Sequence, residues 1–369
     1  MKDNLIAKHF SSIEDPRVSR QKKHELSDIF FMTLCAVICG ADNWVMIEQF
    51  CDAKKDWFCE QLGLNNGIPS HDTFARVFSM IDIEAFTKCF TNWVNDLVSL
   101  SAGEVIAIDG KCLRRSIDKA SGKSAIHMVS AWACDNQHVL GQVTVAEKSN
   151  EITAIPKLLK LLDITNMTVT IDAMGCQRAI AQQIIDQQGH YVFSLKGNQG
   201  TLHQDVALWF ESNIKKEINH HQTVDGDHGR IETRSITTSG NIAWLQETHN
   251  WPGLQSVIAV TSERDMKGIV STETRYFISN LSSDKVEQIA HSIRAHWSIE
   301  NKLHWTLDMA FNEDHSRARI GHSAANLSII RHIALNLLKA DKSLKVGIKT
   351  KRARAGWDHL YLLKIIFGN

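Results

Sequence analysis

Apolar residues recur at helical spacing through the first hundred residues of the chain. The pattern predicts a buried helix over residues 26–39 and a second helix over residues 44–59. After a glycine-containing turn, Ser70 is placed to cap a third helix that carries apolar side chains inward. Two helices across such a turn suit either a helix-turn-helix that enters a DNA groove or a pair that only packs. We therefore predict a helical amino-terminal domain over residues 1–100, with DNA binding as one of two open interpretations.

From residue 104 onward, β-rich runs alternate with amphipathic helices. In chain order the pattern predicts strands 105–108, 126–133 and 139–146, helix 152–162, strand 167–171, helix 177–188 and strand 191–195. Three strands followed by helix, strand, helix and strand are typical of a ribonuclease-H-like α/β core.

A second β-rich block, with strand candidates at 231–237, 256–261 and 272–278, interrupts this core. The predicted division of the chain is therefore a catalytic core over residues 101–219 and 282–340, a β-rich insertion over 220–281, and a basic carboxy-terminal tail over 341–369. Residues 342–354 of this tail hold six basic residues and no acid. Such a charge run is either a solvated face or a DNA contact.

The helix that follows the β-rich block breaks its own apolar pattern. Val286, Ile289, Ile293 and Trp297 form one stripe at spacings of three and four, and the next positions on it are Glu300, His304 and Leu307. Burying an unpaired carboxylate costs several kcal/mol, roughly. The pattern therefore favours a metal, a cation or a functional cleft beside Glu300, unless the helix rolls and the carboxylate reaches water.

Composition excludes several classes of protein. The 369 residues carry a net charge of zero, so a nucleic-acid surface would have to be a local patch. Eight cysteines are scattered without a CxxC pair, which argues against a disulfide framework or a zinc knuckle. The longest apolar run, residues 29–40, is too short to cross a bilayer, and no signal peptide opens the chain. We expect a cytoplasmic protein with no membrane partner.

Three carboxylates are placed to meet at one sheet edge. Asp109 and Asp172 each follow a Val/Ile-rich strand, and neighbouring parallel strands would bring them side by side. Glu300, on a helix across the same edge, would add a third hard-oxygen ligand for Mg²⁺ or Mn²⁺. Two such ions can activate a water or a 3′-hydroxyl and stabilise the leaving oxygen of a phosphodiester. Taken singly, however, a strand-terminal aspartate is more often a turn former.

The chain resembles the DDE transposases of bacterial insertion sequences, in particular the H-repeat-associated proteins found beside Rhs elements. The resemblance covers nearly the whole chain and is carried by the runs IAIDGK from Ile106, IDAMGCQ from Ile171, LKGNQ from Leu195, HGRIETR from His228 and HWSIEN from His296. It implies a ribonuclease-H-like core with a β-rich insertion and a helical amino-terminal domain. It also implies Mg²⁺-dependent DNA strand cleavage and strand transfer by Asp109, Asp172 and Glu300.

The same resemblance implies double-stranded DNA with terminal inverted repeats as the partner, a homodimer on that DNA, and association with the bacterial nucleoid. One departure concerns the glutamate. Broader relatives have a tyrosine seven residues before the glutamate, an arginine four residues before it and a lysine seven residues after it. At these positions this chain has Ile293, His296 and Leu307. His296 itself, placed one turn before Glu300, could orient that carboxylate when neutral, hold phosphate when protonated, or simply pack. Arg294, Lys302 and His304 are the other candidates for the phosphate contact.

Further candidate DNA contacts lie outside that helix. Lys196 and Asn198 follow a strand, where a cation and an amide could hold phosphates, although Lys-Gly-Asn is also an ordinary turn. Arg230 shares a strand face with Arg234, and Glu232 between them could simply pair both.

Two other functions stay open at this point. His296, Glu300 and His304, at i, i+4 and i+8, could bind one Zn²⁺ in a hydrolase, although this would leave Asp109 and Asp172 without a role. A catalytically silent DNA-binding relic or regulator of the same fold is the second alternative.

Overall fold

The computed structural model describes residues 5–18, 22–117, 122, 124–146, 149–212, 218–227 and 230–368. The amino-terminal part is helical, as the apolar spacing predicts. Its helices are α1 (Leu5–Phe10), α2 (Leu26–Ile38), α3 (Trp44–Ala53), α4 (Lys55–Leu62), α5 (His71–Met80) and α6 (Ile83–Leu97). The single helix predicted over residues 44–59 is wrong, because the chain breaks at Lys54 into α3 and α4. Ser70 caps α5 as predicted, its Oγ accepting the N–H of Thr73 at 3.4 Å.

A nine-stranded mixed sheet organises the rest of the chain, in the order β3-β2-β1-β4-β5-β9-β8-β7-β6. Its strands are β1 (Val105–Leu113), β2 (Ile126–Ala133), β3 (His138–Thr144), β4 (Thr168–Ile171), β5 (His190–Leu195), β6 (Ile218–Asp227), β7 (Arg230–Ser239), β8 (Ser256–Met266) and β9 (Ile269–Ser279). Strand β1 runs antiparallel to β2 and parallel to β4, and β4 runs parallel to β5. The helices between the strands are α7 (Glu151–Leu159), α8 (Arg178–Asp186), α9 (Thr201–Ser212) and α10 (Ala243–His249).

The β-rich block continues the same sheet. Strand β9 pairs antiparallel with β5, so that Phe193 lies opposite Ile278, and β8, β7 and β6 follow outward. The sequence pattern indicates β7, β8 and β9 but gives no strand at the position of β6. The block and the strands that carry the aspartates therefore share one backbone hydrogen-bond network.

The glutamate helix is interrupted by a wider turn. Helix α11 (Val286–His296) leads into a π-helical segment, Ile299–His304, and then into α12 (Trp305–Phe311). The predicted stripe fails in the middle of this segment: Trp297 is 46% exposed and Glu300 is exposed, whereas Ile299 and Leu303 are buried in their place. The stripe resumes at Leu307, which is buried as predicted. The π-helical turn adds a residue to the helical period and so shifts which positions face the core.

The carboxy-terminal segment is folded. Helices α13 (Ser323–Ala340), α14 (Ile348–Trp357) and α15 (His359–Phe367) pack in succession. Lys351 and Arg352, in the predicted basic tail, are buried. Lys351 donates to the carbonyl of Leu338 at 2.9 Å, and Arg352 donates to the carbonyl of Val37 at 2.8 Å. A solvated or DNA-contacting role is therefore wrong for these two side chains. Among the described helices, none combines the length and apolar character that a membrane crossing requires.

Candidate active site

Strand register places Asp109 beside Asp172. Ile108 and Ile171 form the last pair of the parallel β1–β4 ladder, and each aspartate is the next residue. Asp172 begins a loop, as predicted. Asp109 does not end its strand, because β1 continues to Leu113 by pairing with β2. Both aspartates nevertheless leave the parallel ladder at the same edge.

Backbone hydrogen bonds hold the loop that begins at Asp172. Its Oδ1 accepts the N–H groups of Met174 at 3.0 Å and Gly175 at 3.2 Å. Asn198 donates from Nδ2 to the carbonyl of Ala173 at 2.7 Å, so this predicted DNA contact is bonded to the aspartate loop. The side chain of Lys196, by contrast, is exposed.

A fourth carboxylate, which the sequence reasoning missed, joins this edge. Glu151 opens α7, and its side chain lies over Gly110 so closely that a Cβ there would meet Oε1 at 1.9 Å. Only glycine next to Asp109 leaves room for this approach. A glutamate in the first turn of a helix ordinarily indicates a favourable dipole contact, and the sequence pattern carries no further signal for it.

The four carboxylates influence one another electrostatically. Burial raises the pKa of Asp109 to about 7. A hydrogen bond from the Gly110 N–H lowers this pKa, and the negative charges of Glu151, Asp172 and Glu300 raise it further. Burial and Asp172 also raise the pKa of Glu151. Such a cluster favours protonation or a bound cation. In the described part of the chain, no three His, Cys, Asp or Glu side chains already stand in a coordinating arrangement.

Both histidines of the glutamate helix are turned to other partners. His296 Nδ1 lies 2.9 Å from Thr170 Oγ1, and burial lowers its pKa. His304 Nδ1 lies 3.6 Å from Asp109 Oδ2, and burial together with nearby Lys111 lowers its pKa to about 4. Burial therefore disfavours the protonated form of both rings, and this argues against a phosphate contact through a positive charge on either.

The alternative zinc site is also wrong, because its three ligands do not converge among the described residues. A single Zn²⁺ would require His296, Glu300 and His304 to converge. Instead the first ring is bonded on β4, the second ring faces Asp109, and the glutamate is exposed. The π-helical turn between the histidines rotates them apart.

A buried ion-pair network lies behind Asp109. Lys111, two residues further along β1, contacts Asp308 of α12 and reaches Glu313 Oε2 at 3.1 Å. Glu313 Oε1 in turn lies 3.7 Å from Nη1 of Arg331 and accepts a hydrogen bond from Ser328 at 3.2 Å. This network ties the aspartate strand to α12 and α13.

Among the remaining basic candidates, Arg294 has a carboxylate partner of its own on β6. Arg294 lines a cavity of about 750 Å³ between α11 and strands β6–β8, 3.4 Å from Asp225 Oδ2. In the same cavity Glu232, 4% exposed, holds Arg234 at 2.7 Å, as expected if the glutamate only pairs with it.

Two further candidates complete this set. Lys302 lies near Lys339. Burial of Lys339 and the charges of neighbouring lysines, among them Lys302, lower the pKa of Lys339 to about 8. The side chain of Arg230 falls outside the described residues.

Comparison with known proteins agrees with this geometry. Residues 100–337 match the family described as Transposase DDE domain, and residues 7–94 match the one described as DDE_Tnp_1-associated. YncI of Escherichia coli O157:H7, which carries a transposase name, is 44% identical over 97% of this chain and 93% of its own. The H repeat-associated YhhI of strain K12 is 41% identical over 99% of this chain and 98% of its own.

A shorter relative has a different name. YbfQ of strain K12, named an inactive transposase, is 43% identical over 20% of this chain and 88% of its own. The family matches and the two long relatives together decide the assignment. The chain belongs to the DDE transposase family and resembles its H repeat-associated members over nearly its full length.

Proposed function

We propose that this chain is a metal-dependent DNA transposase that cleaves and transfers strands at insertion-sequence ends through Asp109, Asp172 and Glu300. The observation that carries the proposal is the β1–β4 register, because Ile108 opposite Ile171 brings the two aspartates together at one edge. Glu300 interacts electrostatically with this edge, because its negative charge raises the pKa of Asp109.

The sheet order supports a ribonuclease-H-like core. Strands β3-β2-β1-β4-β5 run with β2 antiparallel to its neighbours and β1, β4 and β5 parallel, and α11 packs against β1 and β4. In the proposed division this core covers residues 101–219 and 282–340. A helical amino-terminal domain covers 1–100, the β-rich block 220–281, and the carboxy-terminal segment 341–369.

The donors at the edge fit Mg²⁺ or Mn²⁺. All are carboxylate oxygens, which these ions prefer, and burial together with the neighbouring carboxylates raises the pKa of Asp109. Asp109, Asp172 and Glu300 would hold the cation, which supplies a polarised water or hydroxyl and stabilises phosphate charge. Asp172 is restrained through the Oδ1 hydrogen bonds of its loop. His304 Nδ1 lies 3.6 Å from Asp109 Oδ2, and its neutral ring adds no competing positive charge.

The proposed partner is double-stranded DNA with terminal inverted repeats, bound by a homodimer. Because the net charge is zero, contacts with the backbone must come from local cations. Lys196 fits this role best, because its side chain is exposed and it lies two residues before Asn198, which donates to the carbonyl of Ala173 in the Asp172 loop. Arg294 and Lys302, on the segment that carries Glu300, are the other candidates for a contact with the DNA backbone.

The test is strand cleavage by the full-length protein of duplexes carrying the sequences that flank its gene. Cleavage is expected with Mg²⁺ or Mn²⁺ and not with excess chelator. Asp109→Asn should abolish cleavage and leave DNA affinity intact, because the substitution removes a cation ligand and no phosphate contact. Asp163→Asn, at an exposed turn before β4, is the matched control and should cleave normally.

Two results would overturn the proposal. Cleavage that persists in Asp109→Asn or in chelator would show that the chemistry does not use this site. DNA binding without cleavage under every metal condition would favour the catalytically silent DNA-binding alternative.

A further inference from the structure

The position of Glu151 is unusual for a glutamate in the first turn of a helix. Such a residue normally extends into water, where it is stabilised by the amino-terminal end of the helix dipole. Here the side chain is only 20% exposed and leans over the β1 backbone at Gly110. The helix cap does not require this position, since the residue before it, Asn150, makes no side-chain cap hydrogen bond.

The surroundings of Glu151 offer little to offset its charge. Among the described residues, the ion-pair partner found for its carboxylate is His127, whose Nδ1 lies 3.7 Å from Oε1 on a half-exposed ring. Asp109 and Asp172 both interact electrostatically with Glu151, and both are negative when ionised. Negative charges in a partly buried cluster repel one another, so ionising all three carboxylates costs free energy unless a cation binds between them.

We propose that Glu151 is a fourth carboxylate of the metal site and holds a divalent cation together with Asp109 and Asp172. This inference rests on the proposed metal-dependent function. Glu300 is exposed on the π-helical segment, whereas the side chain of Glu151 is only 20% exposed and lies over the backbone of Gly110, the residue next to Asp109. Four carboxylates would also balance the charge of two divalent cations.

Gly110 provides a second way to test the same carboxylate. An alanine there would place its Cβ against Oε1 of Glu151, and the atom that must move is the free end of a flexible side chain. The backbone of Gly110 has no positive φ, so alanine fits its conformation. Gly110→Ala should therefore displace the carboxylate and keep the fold.

The experiment measures Mn²⁺ binding to the full-length protein by electron paramagnetic resonance, and thermal unfolding with and without Mn²⁺. Glu151→Gln and Gly110→Ala are each expected to weaken Mn²⁺ binding about tenfold or more, the size of effect seen when the shell around a metal is disturbed. Without metal, Glu151→Gln should unfold at the same temperature as the parent or higher, because it removes a like charge. A purely structural Glu151 predicts a lower unfolding temperature and unchanged Mn²⁺ binding, which would overturn the inference.

Matched controls come from the same chain. Glu84→Gln changes a first-turn glutamate of α6, and Gly226→Ala changes a strand glycine with open space around it. Both should bind Mn²⁺ like the parent. Asp109→Asn separates the two proposals. If it weakens Mn²⁺ binding while Glu151→Gln does not, only this inference fails, and if neither weakens it, the metal site itself is wrong.

Discussion

The buried carboxylate of Glu313 offers the sharpest test of how the aspartate strand is held. It is 2% exposed and receives Lys111 on Oε2 and Arg331 on Oε1, at 3.1 Å and 3.7 Å. Burial alone would raise the pKa of Glu313, but these two cations lower it to about 2. Glu313→Gln keeps the shape of the side chain and removes its charge.

The size of the effect follows from the pKa of the same group. A decrease from 4.5 to about 2 corresponds to about 3 kcal/mol of free energy of unfolding at neutral pH. Removing one partner of a buried ion pair typically costs about 3–5 kcal/mol, since the remaining charge is left uncompensated. Lys111 keeps Asp308 as a partner, so we expect the lower end, about 3 kcal/mol.

Urea unfolding at neutral pH measures this loss, with Asp314→Asn as the control. Asp314 is the next residue, and its ion-pair partner Arg114 is 78% exposed at 3.5 Å, so that substitution should cost less than about 1 kcal/mol. Because the folded-state pKa of Glu313 is lowered, its contribution is present above pH 4.5 and is lost as pH falls towards 2. Equal losses in the two variants, or the same loss at pH 2.5 and at neutral pH, would refute the reasoning.

Three further outcomes are expected. His296→Ala should reduce cleavage equally at about pH 6.5 and 8.5, and His296→Arg should not restore it, because the neutral ring is buried against Thr170 and a guanidinium does not fit there; pH-dependent rescue by arginine would contradict this. Asn198→Ala removes one hydrogen bond to Ala173 in the Asp172 loop, so it should lower cleavage about fivefold. The salt dependence of DNA binding should stay unchanged, because no phosphate contact is lost, and a shallower salt dependence would indicate a phosphate contact instead. Burial lowers the pKa of His332 to about 4, so the stability that its neutral ring contributes above pH 6.5 is lost as pH falls towards 4. His332→Gln should therefore make the free energy of unfolding in urea depend less on pH across that range. An unchanged pH dependence would contradict this.

Local patterning was enough to place the two aspartates. Val/Ile-rich runs predict β1 and β4, and parallel strands connected through a helix bring their carboxyl ends to one edge. The length of β1 was missed, because Gly110 and Lys111 do not continue an apolar run. Their strand conformation depends on pairing with β2, which is a contact distant in sequence.

The surroundings of Glu300 and Glu151 could not be predicted from spacing. A fixed helical period assigned Glu300 to the core face, but the π-helical segment changes that period and no residue type signals it. The approach of Glu151 depends on how α7 packs over β1 at Gly110, which only the assembled tertiary structure contains. Similarly, a charge run normally indicates solvent, whereas Arg352 is buried because carbonyl groups at the end of α2 require a donor.

The contact between Arg352 and the amino-terminal helices has a consequence for protein synthesis. Its guanidinium donates to the carbonyl of Val37 and to Asp42 Oδ1 at 3.0 Å, groups that leave the ribosome some three hundred residues earlier. Until α14 emerges, these acceptors have no such donor, and the first helices remain incompletely packed. We therefore expect a chain that ends before Arg352 to be more exposed to proteolysis than the full-length protein, so that truncation of the gene lowers the amount of protein in the cell.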